Sequence, residues 1–451
     1  MGIPDLWQIV SGAAQNCSLI ELALVAGIQH KDGHMLKIGV DASIWMVQCE
    51  AMFWGPWHAQ AGDSPELRTL LFCLAYLLRC TVIPVFVFDG ALHPGIKRGK
   101  KVRTRAPWLE KHFKEMIRAF GFYYHDAPGE AEAELAAMNK AGIIDMIITE
   151  DSNALVFGGM CILQRPPRSK GDNGKKIKID PDEYVLYSSK HILAQDNVCL
   201  TEGGLFLLAI LLGGDYDGNK GLSGCGQKTA HMLALTSLGD SLYLAVKTMD
   251  NSELQKYLTV WRDMLHSELL QPSIPGASKH PSLANKIPVA FPNMKILKYY
   301  AQPITSWHAG FEQRVVASAW EVPLPDIALI SDFCSRFFHW DSDILLQHLR
   351  KNIWPGIIVQ SLYRDDYIST HQALGGFALS ASSVSPTKED PEDNKHSVLG
   401  IDEGGCSVQD DNEGIIVLAD SDSDNKVEIV GFSLFIDLAD SNSNSEVEVI
   451  G

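Results

Sequence analysis

Three stretches of the chain are apolar at nearly every position, and each runs into an acidic residue. Residues 36–40 (LKIGV) lead to Asp41, residues 82–88 (VIPVFVF) to Asp89-Gly90, and residues 143–148 to Thr149-Glu150-Asp151. Short apolar runs without polar alternation predict strands buried on both faces. Residues 64–79 place apolar side chains at helical spacing behind a Ser64-Pro65 start signal. Strands separated by helices predict an α/β fold with a parallel sheet, whose ligand sites lie beyond the carboxyl ends of the strands.

Further along, residues 91–107 and 164–180 read as polar, basic loops, and residues 204–235 turn helical around a glycine-rich hinge. Residues 236–365 mix helical and short strand signals. After about residue 370, Ser, Asp, Glu and Asn dominate, which predicts a disordered tail. Within that tail, Ile416-Val417-Leu418-Ala419-Asp420-Ser421 recurs 20 residues later as Ile436-Asp437-Leu438-Ala439-Asp440-Ser441. Two copies are too few for a solenoid and read as paired linear motifs.

Composition changes the picture in one respect. Taken alone, the net charge of −17 argues against a nucleic acid partner, but residues 376–451 hold 17 acidic and 3 basic residues. That leaves −3 for the other 375 residues, a nearly neutral body with local basic clusters, and a local cluster is what binds phosphate. The nine cysteines form no CxxC pair, which argues against structural zinc and a disulfide scaffold and suits a reducing compartment. No uncharged apolar run of about 18 residues predicts a membrane span. The first residues lack the pattern of a signal peptide, and Leu6 does not fit a myristoylation motif.

The candidate chemistry lies in the acids. Asp41, Asp89 and Asp151 follow strands, Glu130 and Glu132 sit where Pro128-Gly129 turns into a helix, and Asp215 lies in LLGGDY. A lone Asp after a strand is ordinarily a turn or helix cap, and a glutamate pair in a first turn complements the helix dipole. Gathered at one sheet edge, the same acids repel one another unless hard cations neutralise them, and Mg2+ or Mn2+ prefers oxygen ligands. Two such ions about 4 Å apart activate water and stabilise the leaving oxygen of a phosphodiester.

These residues occur in a recognisable order: Met1-Gly2-Ile3 with Leu6-Trp7, VDAS at 40–43, FDG at 88–90, APGEAEA at 127–133, TED at 149–151, Phe157-Gly158 and LGGDY at 212–216. In that order the chain resembles the flap endonuclease/XPG (Rad2-type) nuclease superfamily. Within it, the chain most resembles the fungal GEN-type Holliday junction resolvases. The match is dense to about residue 235 and weaker to about 360, where Trp320-Glu321-Val322-Pro323 and Phe338-His339-Trp340 are similar to the GEN type. The resemblance implies a PIN-like nuclease core that cleaves branched DNA with two Mg2+ ions, or Mn2+ in their place. It implies metal-site roles for Asp41, Asp89, Glu130, Glu132, Asp151 and Asp215.

One position departs from the family's T-x-D-x-D pattern. Here it reads Thr149-Glu150-Asp151-Ser152-Asn153, and Asn153 offers a carbonyl oxygen without the charge. A weaker second metal position follows, and three readings stay open: a slow enzyme, one needing more metal, or a junction-binding paralogue.

The segment GLSGCGQKTA at 221–230 resembles the family's helix-two-turn-helix, which grips duplex DNA with a bound K+; Gly224, Gly226 and Lys228 are its candidate contacts, and Cys225 stands where an aliphatic residue is usual. Glycine-rich turns let backbone N–H groups approach phosphate, and the next helix adds its dipole. The resemblance assigns Lys97 and Arg98 to the scissile phosphate, with Lys100, Lys101 and a Gly2 near the DNA. A solvated basic loop and a nuclear localisation patch are the other readings of residues 97–103. Arg165–Lys178 is a candidate duplex-tracking insertion. In the tail, residues 415–418 followed by alternating Asp and Ser resemble a SUMO-interacting motif, as does Phe435-Ile436-Asp437-Leu438; two linked weak sites act by avidity. An unbound solubilising tail is the alternative.

The expected organisation is an N-terminal nuclease region over 1–110, an internal nuclease region over 111–200 and the helix-two-turn-helix region over 201–290. A small C-terminal domain follows over 291–370, with a chromodomain-like module as one candidate, and a disordered acidic tail over 371–451. The expected function is a nuclear, structure-selective endonuclease of DNA repair and recombination that cuts 5′ flaps and Holliday junctions, as a dimer on the latter. A SUMO-reading scaffold is the alternative from another class.

Overall fold

In the computed structural model, residues 2–29, 35–53, 63–97, 100–101, 107–166, 180–216, 220–308, 310–311, 320–322 and 324–362 are described. Seven strands form one sheet: β1 (Gln15–Ser18), β2 (Leu36–Asp41), β3 (Val82–Phe88), β6 (Tyr123–Asp126), β7 (Met146–Ile148), β8 (Cys161–Gln164) and β9 (Glu183–Ser188). The order is β1-β9-β8-β7-β2-β3-β6. The five strands from β8 to β6 run parallel, while β9 and β1 close one edge antiparallel. Two short strands, β4 (Ile96–Lys97) and β5 (Lys100–Lys101), form a separate hairpin in the basic segment that reads as loop.

β3 is buried at every position because helices cover both faces of the sheet. Val85 and Val87 face one apolar cluster with the helix Ala131–Lys140 and the helices from Glu202 to Ala301. Phe86 and Phe88 face the other, with the helices Ala42–Met52, Pro65–Arg79, Pro107–Ala119 and Ile327–Phe338. The described part of 291–362 is shared between the two cores: Met294–Ala301 packs into the first, Ile327–Phe338 and Leu349–Ile353 into the second. Where short strand signals were expected over 236–365, the described residues hold helices and no strand. No described helix is long and apolar enough to cross a membrane.

Strand order reverses between β2 and β7. From β2 the chain steps outward through β3 to β6, then returns over the other face to β7 and β8. The carboxyl ends of β2 and β7 therefore flank the switch point, where such sheets bind ligands. Asp41 and Asp151 stand there.

Candidate active site

Each acid is placed by a local backbone requirement. Asp41 ends β2 and caps the helix Ala42–Met52; its Oδ1 accepts from the N–H groups of Ser43 and Ile44 at 2.9 and 3.1 Å. The Ser43 hydroxyl then accepts the Asp89 N–H at 3.2 Å. Asp89 Oδ1 accepts the N–H of Ala131 at 2.8 Å, which docks the start of the Glu130–Glu132 helix onto the end of β3. Gly90 makes this approach feasible, since a Cβ there would lie 1.7 Å from the Ala127 carbonyl oxygen.

Glu130 is held from two sides. Its Oε1 lies 2.5 Å from Lys97 Nζ, and its Oε2 accepts from the Tyr216 hydroxyl at 2.5 Å. Lys97 reaches it because its backbone forms an antiparallel bridge with Tyr216. Glu132 is buried, and its Oε2 has no protein partner. Burial, with Asp41, Asp89 and Asp151 nearby, pushes its pKa well above the usual carboxylate value, and Lys97 offsets part of that. Burial disfavours the Lys97 ammonium, yet Glu132, Glu130 and Asp89 outweigh this and hold its pKa above the usual lysine value.

The second half of the cluster joins distant parts of the chain. Asp151 Oδ1 accepts the Asn153 N–H at 2.8 Å. Burial first, with Asp215 adding to it, raises the Asp151 pKa to about 6 against the Asn153 hydrogen bond. Asp215 Oδ2 accepts from Gly2 N–H at 3.1 Å and from Asn153 Nδ2 at 3.3 Å. The amino-terminal segment is stitched down by Ile3 N–H to Ser152 Oγ at 2.8 Å and by Trp7 Nε1 to the Glu150 carbonyl at 3.1 Å.

Asp41, Asp89, Glu130, Glu132, Asp151, Asn153, Asp215, Lys97 and Gly2 thus meet at the switch point. Among the described residues, no three Asp, Glu, His or Cys groups close on one point as a finished metal cage; the Lys97 ammonium lies among the carboxylates. The donor set fits a hard divalent cation. All donors are oxygens, all but the half-buried Asp89 are buried, and the Glu132 Oε2 and Asn153 Oδ1 atoms are sealed without a protein partner.

Other expected residues lie apart. Gly224 (φ +86°) and Gly226 precede the helix Gln227–Ala234 in an exposed turn, and Lys228 is exposed on it. That turn is tied to the Asp215 segment through Leu222 N–H to the Leu211 carbonyl at 2.8 Å. Burial pushes the half-buried Cys225 thiol up to about 12, so this residue serves as a small apolar group. Lys100 and Lys101 form β5. Arg98, residues 167–179 and the tail motifs lie outside the described residues. Arg165 does not face outward to track a duplex. Its guanidinium lies 4.0 Å from the Tyr184 ring centre and donates to the Pro181 carbonyl, anchoring the root of its loop.

Sequence reasoning missed Tyr216 and Ser43, which hold Glu130 and Asp89, and Ser152, which ties down the amino-terminal segment. Tyr216 follows Asp215 directly and Ser152 separates Asp151 from Asn153, so adjacency was the available signal.

A Rossmann-like sheet with buried acids at its switch point and a glycine turn beside it defines a nuclease core of the XPG class. The XPG I-region family profile matches residues 121–215, which contain Glu130, Glu132, Asp151 and Asp215. The mouse protein "Flap endonuclease GEN homolog 1" is 31% identical over 263 residues, 54% of this chain and 26% of that protein. The chain therefore spans about a quarter of the length of this relative. The Holliday junction-resolving enzyme GEN1, solved with product DNA and Mg2+, is 31% identical with a TM-score of 0.62 over 80% of both chains. Another structure, junction-resolving enzyme GEN-1 with potassium, is 30% identical with a TM-score of 0.61 over 79% of this chain and 78% of that one. The chain belongs to the flap endonuclease/XPG superfamily, on its GEN-type branch.

Proposed function

We propose that the chain is a divalent-cation-dependent endonuclease that cuts branched DNA, 5′ flaps and four-way junctions, in nuclear DNA repair and recombination. The observation that carries this reading is the buried carboxylate cluster at the switch point, with Glu132 Oε2 lacking a protein partner. Asp41, Asp89, Glu130 and Glu132 would hold one cation, and Asp151, Asn153 and Asp215 a second. When bound, Mg2+ or Mn2+ supplies the Lewis acidity that activates water and offsets charge on the leaving oxygen. Lys97 can turn from Glu130 toward the scissile phosphate and neutralise charge that develops there. The exposed Gly224–Gly226 turn and Lys228 would receive the duplex backbone and are the candidate position for a K+, an ion that the similar GEN-1 enzyme binds.

Two incisions in a four-way junction call for two copies on the DNA. The tail motifs, with an apolar run of sequence beside acids, suit SUMO as a recruiting partner. Asn153 favours a second reading, a relative that binds junctions and cuts slowly. One assay separates these readings. End-labelled 5′-flap, four-way junction and linear duplex DNA are incubated with the full chain and Mg2+. Incision of branched but not linear DNA is the expected result. Tight junction binding without incision would favour the second reading, and equal cutting of all three would refute branch selectivity.

A further inference from the structure

Asn153 is the neutral member of the acid cluster. It opens the short helix Asn153–Val156 and is fully buried. Its Nδ2 faces Asp215 Oδ2 at 3.3 Å. The opposite amide orientation would set two acceptors against each other, so the carboxylate fixes the donor there. The Asn153 Oδ1 atom is then left buried with no protein partner. Asp215 Oδ2 also accepts the Gly2 N–H. Two N–H dipoles therefore support Asp215, where a cluster built wholly of acids would need a cation.

An aspartate at 153 would act in opposite directions under two conditions. Without a cation it would replace a donor by a second buried charge beside Asp215, with Asp151 adjacent, and like charges out of water are costly. With a cation it would add a charged ligand and strengthen binding.

We propose that Asn153 substitutes for part of a second cation. It keeps the Asp151–Asp215 half of the cluster ordered without metal and leaves that half a weak cation position, filled when a DNA phosphate adds its own oxygens. The Asp41–Asp89–Glu130–Glu132 half is the tighter position. The inference rests on the divalent-cation reading of the site and adds an order of loading: one resident ion, the second arriving with the substrate.

The test compares the full chain with Asn153→Asp and Asn153→Ala. Each is melted in chelator and in saturating Mn2+, and Mn2+ binding is counted by calorimetry with and without product duplex. Asn153→Asp is expected to melt below the wild type in chelator and above it in Mn2+, and to bind the second ion at least about tenfold more tightly. Asn153→Ala is expected to melt below the wild type in chelator, to be stabilised by Mn2+ through the resident ion alone, and to take up no second ion with duplex. The wild type is expected to take its second ion when duplex is present. An Asn153→Asp protein that melts below the wild type under both conditions, or that binds Mn2+ as the wild type does, overturns the inference and leaves the divalent reading standing. No Mn2+ binding by either protein overturns both.

Discussion

Gly2→Ala is expected to lower the cleavage rate by on the order of a hundredfold, the scale set by displacing reacting groups by about 1 Å. Gly2 has φ +84°, a region L side chains rarely adopt. A Cβ there would lie 2.3 Å from Asp151 Oδ1, 2.4 Å from Ser152 Oγ and 2.9 Å from Ser152 N. All three belong to the segment that positions the Asp151–Asp215 half of the cluster, so the chain cannot yield at one atom and leave the rest. The Gly2 N–H also supports Asp215, and any shift of residue 2 weakens that hydrogen bond. Single-turnover cleavage beside a thermal melt checks the prediction. A rate near that of the wild type would show that the amino terminus does not hold Asp215.

Lys97→Met is expected to slow cleavage by about 10²- to 10³-fold, the range for removing one preorganised electrostatic contact from a transition state. The same change should tighten divalent-cation binding, because the ammonium 2.5 Å from Glu130 Oε1 competes for that oxygen. These opposed effects distinguish direct participation from general damage, which would weaken both. The surrounding carboxylates hold the Lys97 pKa above its usual value, so the group stays charged through neutral pH. Lys97→Arg, which keeps the charge but not the compact ammonium, should recover part of the rate. The check is the cleavage rate against Mn2+ concentration: a lower plateau with an unchanged or higher half-saturation point would contradict it.

Much of the sheet was legible because its central strands are buried on both faces and so read as unbroken apolar runs. β2 and β3 fall where the sequence predicts them. The third strand is shorter than residues 143–148, because Asn139 Nδ2 donates to the carbonyls of Ile144 and Asp145 and takes them out of the ladder. β1 (QNCS) and β6 (YYHD) are edge strands, half-exposed and polar enough to lack that signature. β8 and β9 flank the basic insertion, whose composition dominates the local pattern.

The acids were legible because strand ends at a switch point are where chain chemistry gathers. Their supports were not. Gly2 bonds to Asp215 across 213 residues, a contact no local pattern announces. Glu134 shows the converse. It continues the Glu130-Ala131-Glu132 alternation and looks like a third ligand, yet it turns away. Fully buried, it bonds His125 Nε2 at 3.0 Å and accepts the Ser306 N–H at 2.9 Å, tying the active-site helix to the segment around Ser306. Glu132 and Glu134, two apart on the helix, diverge by about 200°, whereas Glu130 is the N-cap with extended backbone (ψ 138°) and so leaves the helical register to join Glu132 at the cluster.

The most direct test of the account is incision of four-way junction and 5′-flap DNA by the wild type and by Asp41→Ala, with Mg2+ or Mn2+ and with chelator. Cation-dependent cutting by the wild type, none in chelator, and loss of cutting in Asp41→Ala with junction binding retained are the expected results. Cutting that survives the Asp41→Ala change, or that proceeds in chelator, would contradict the account.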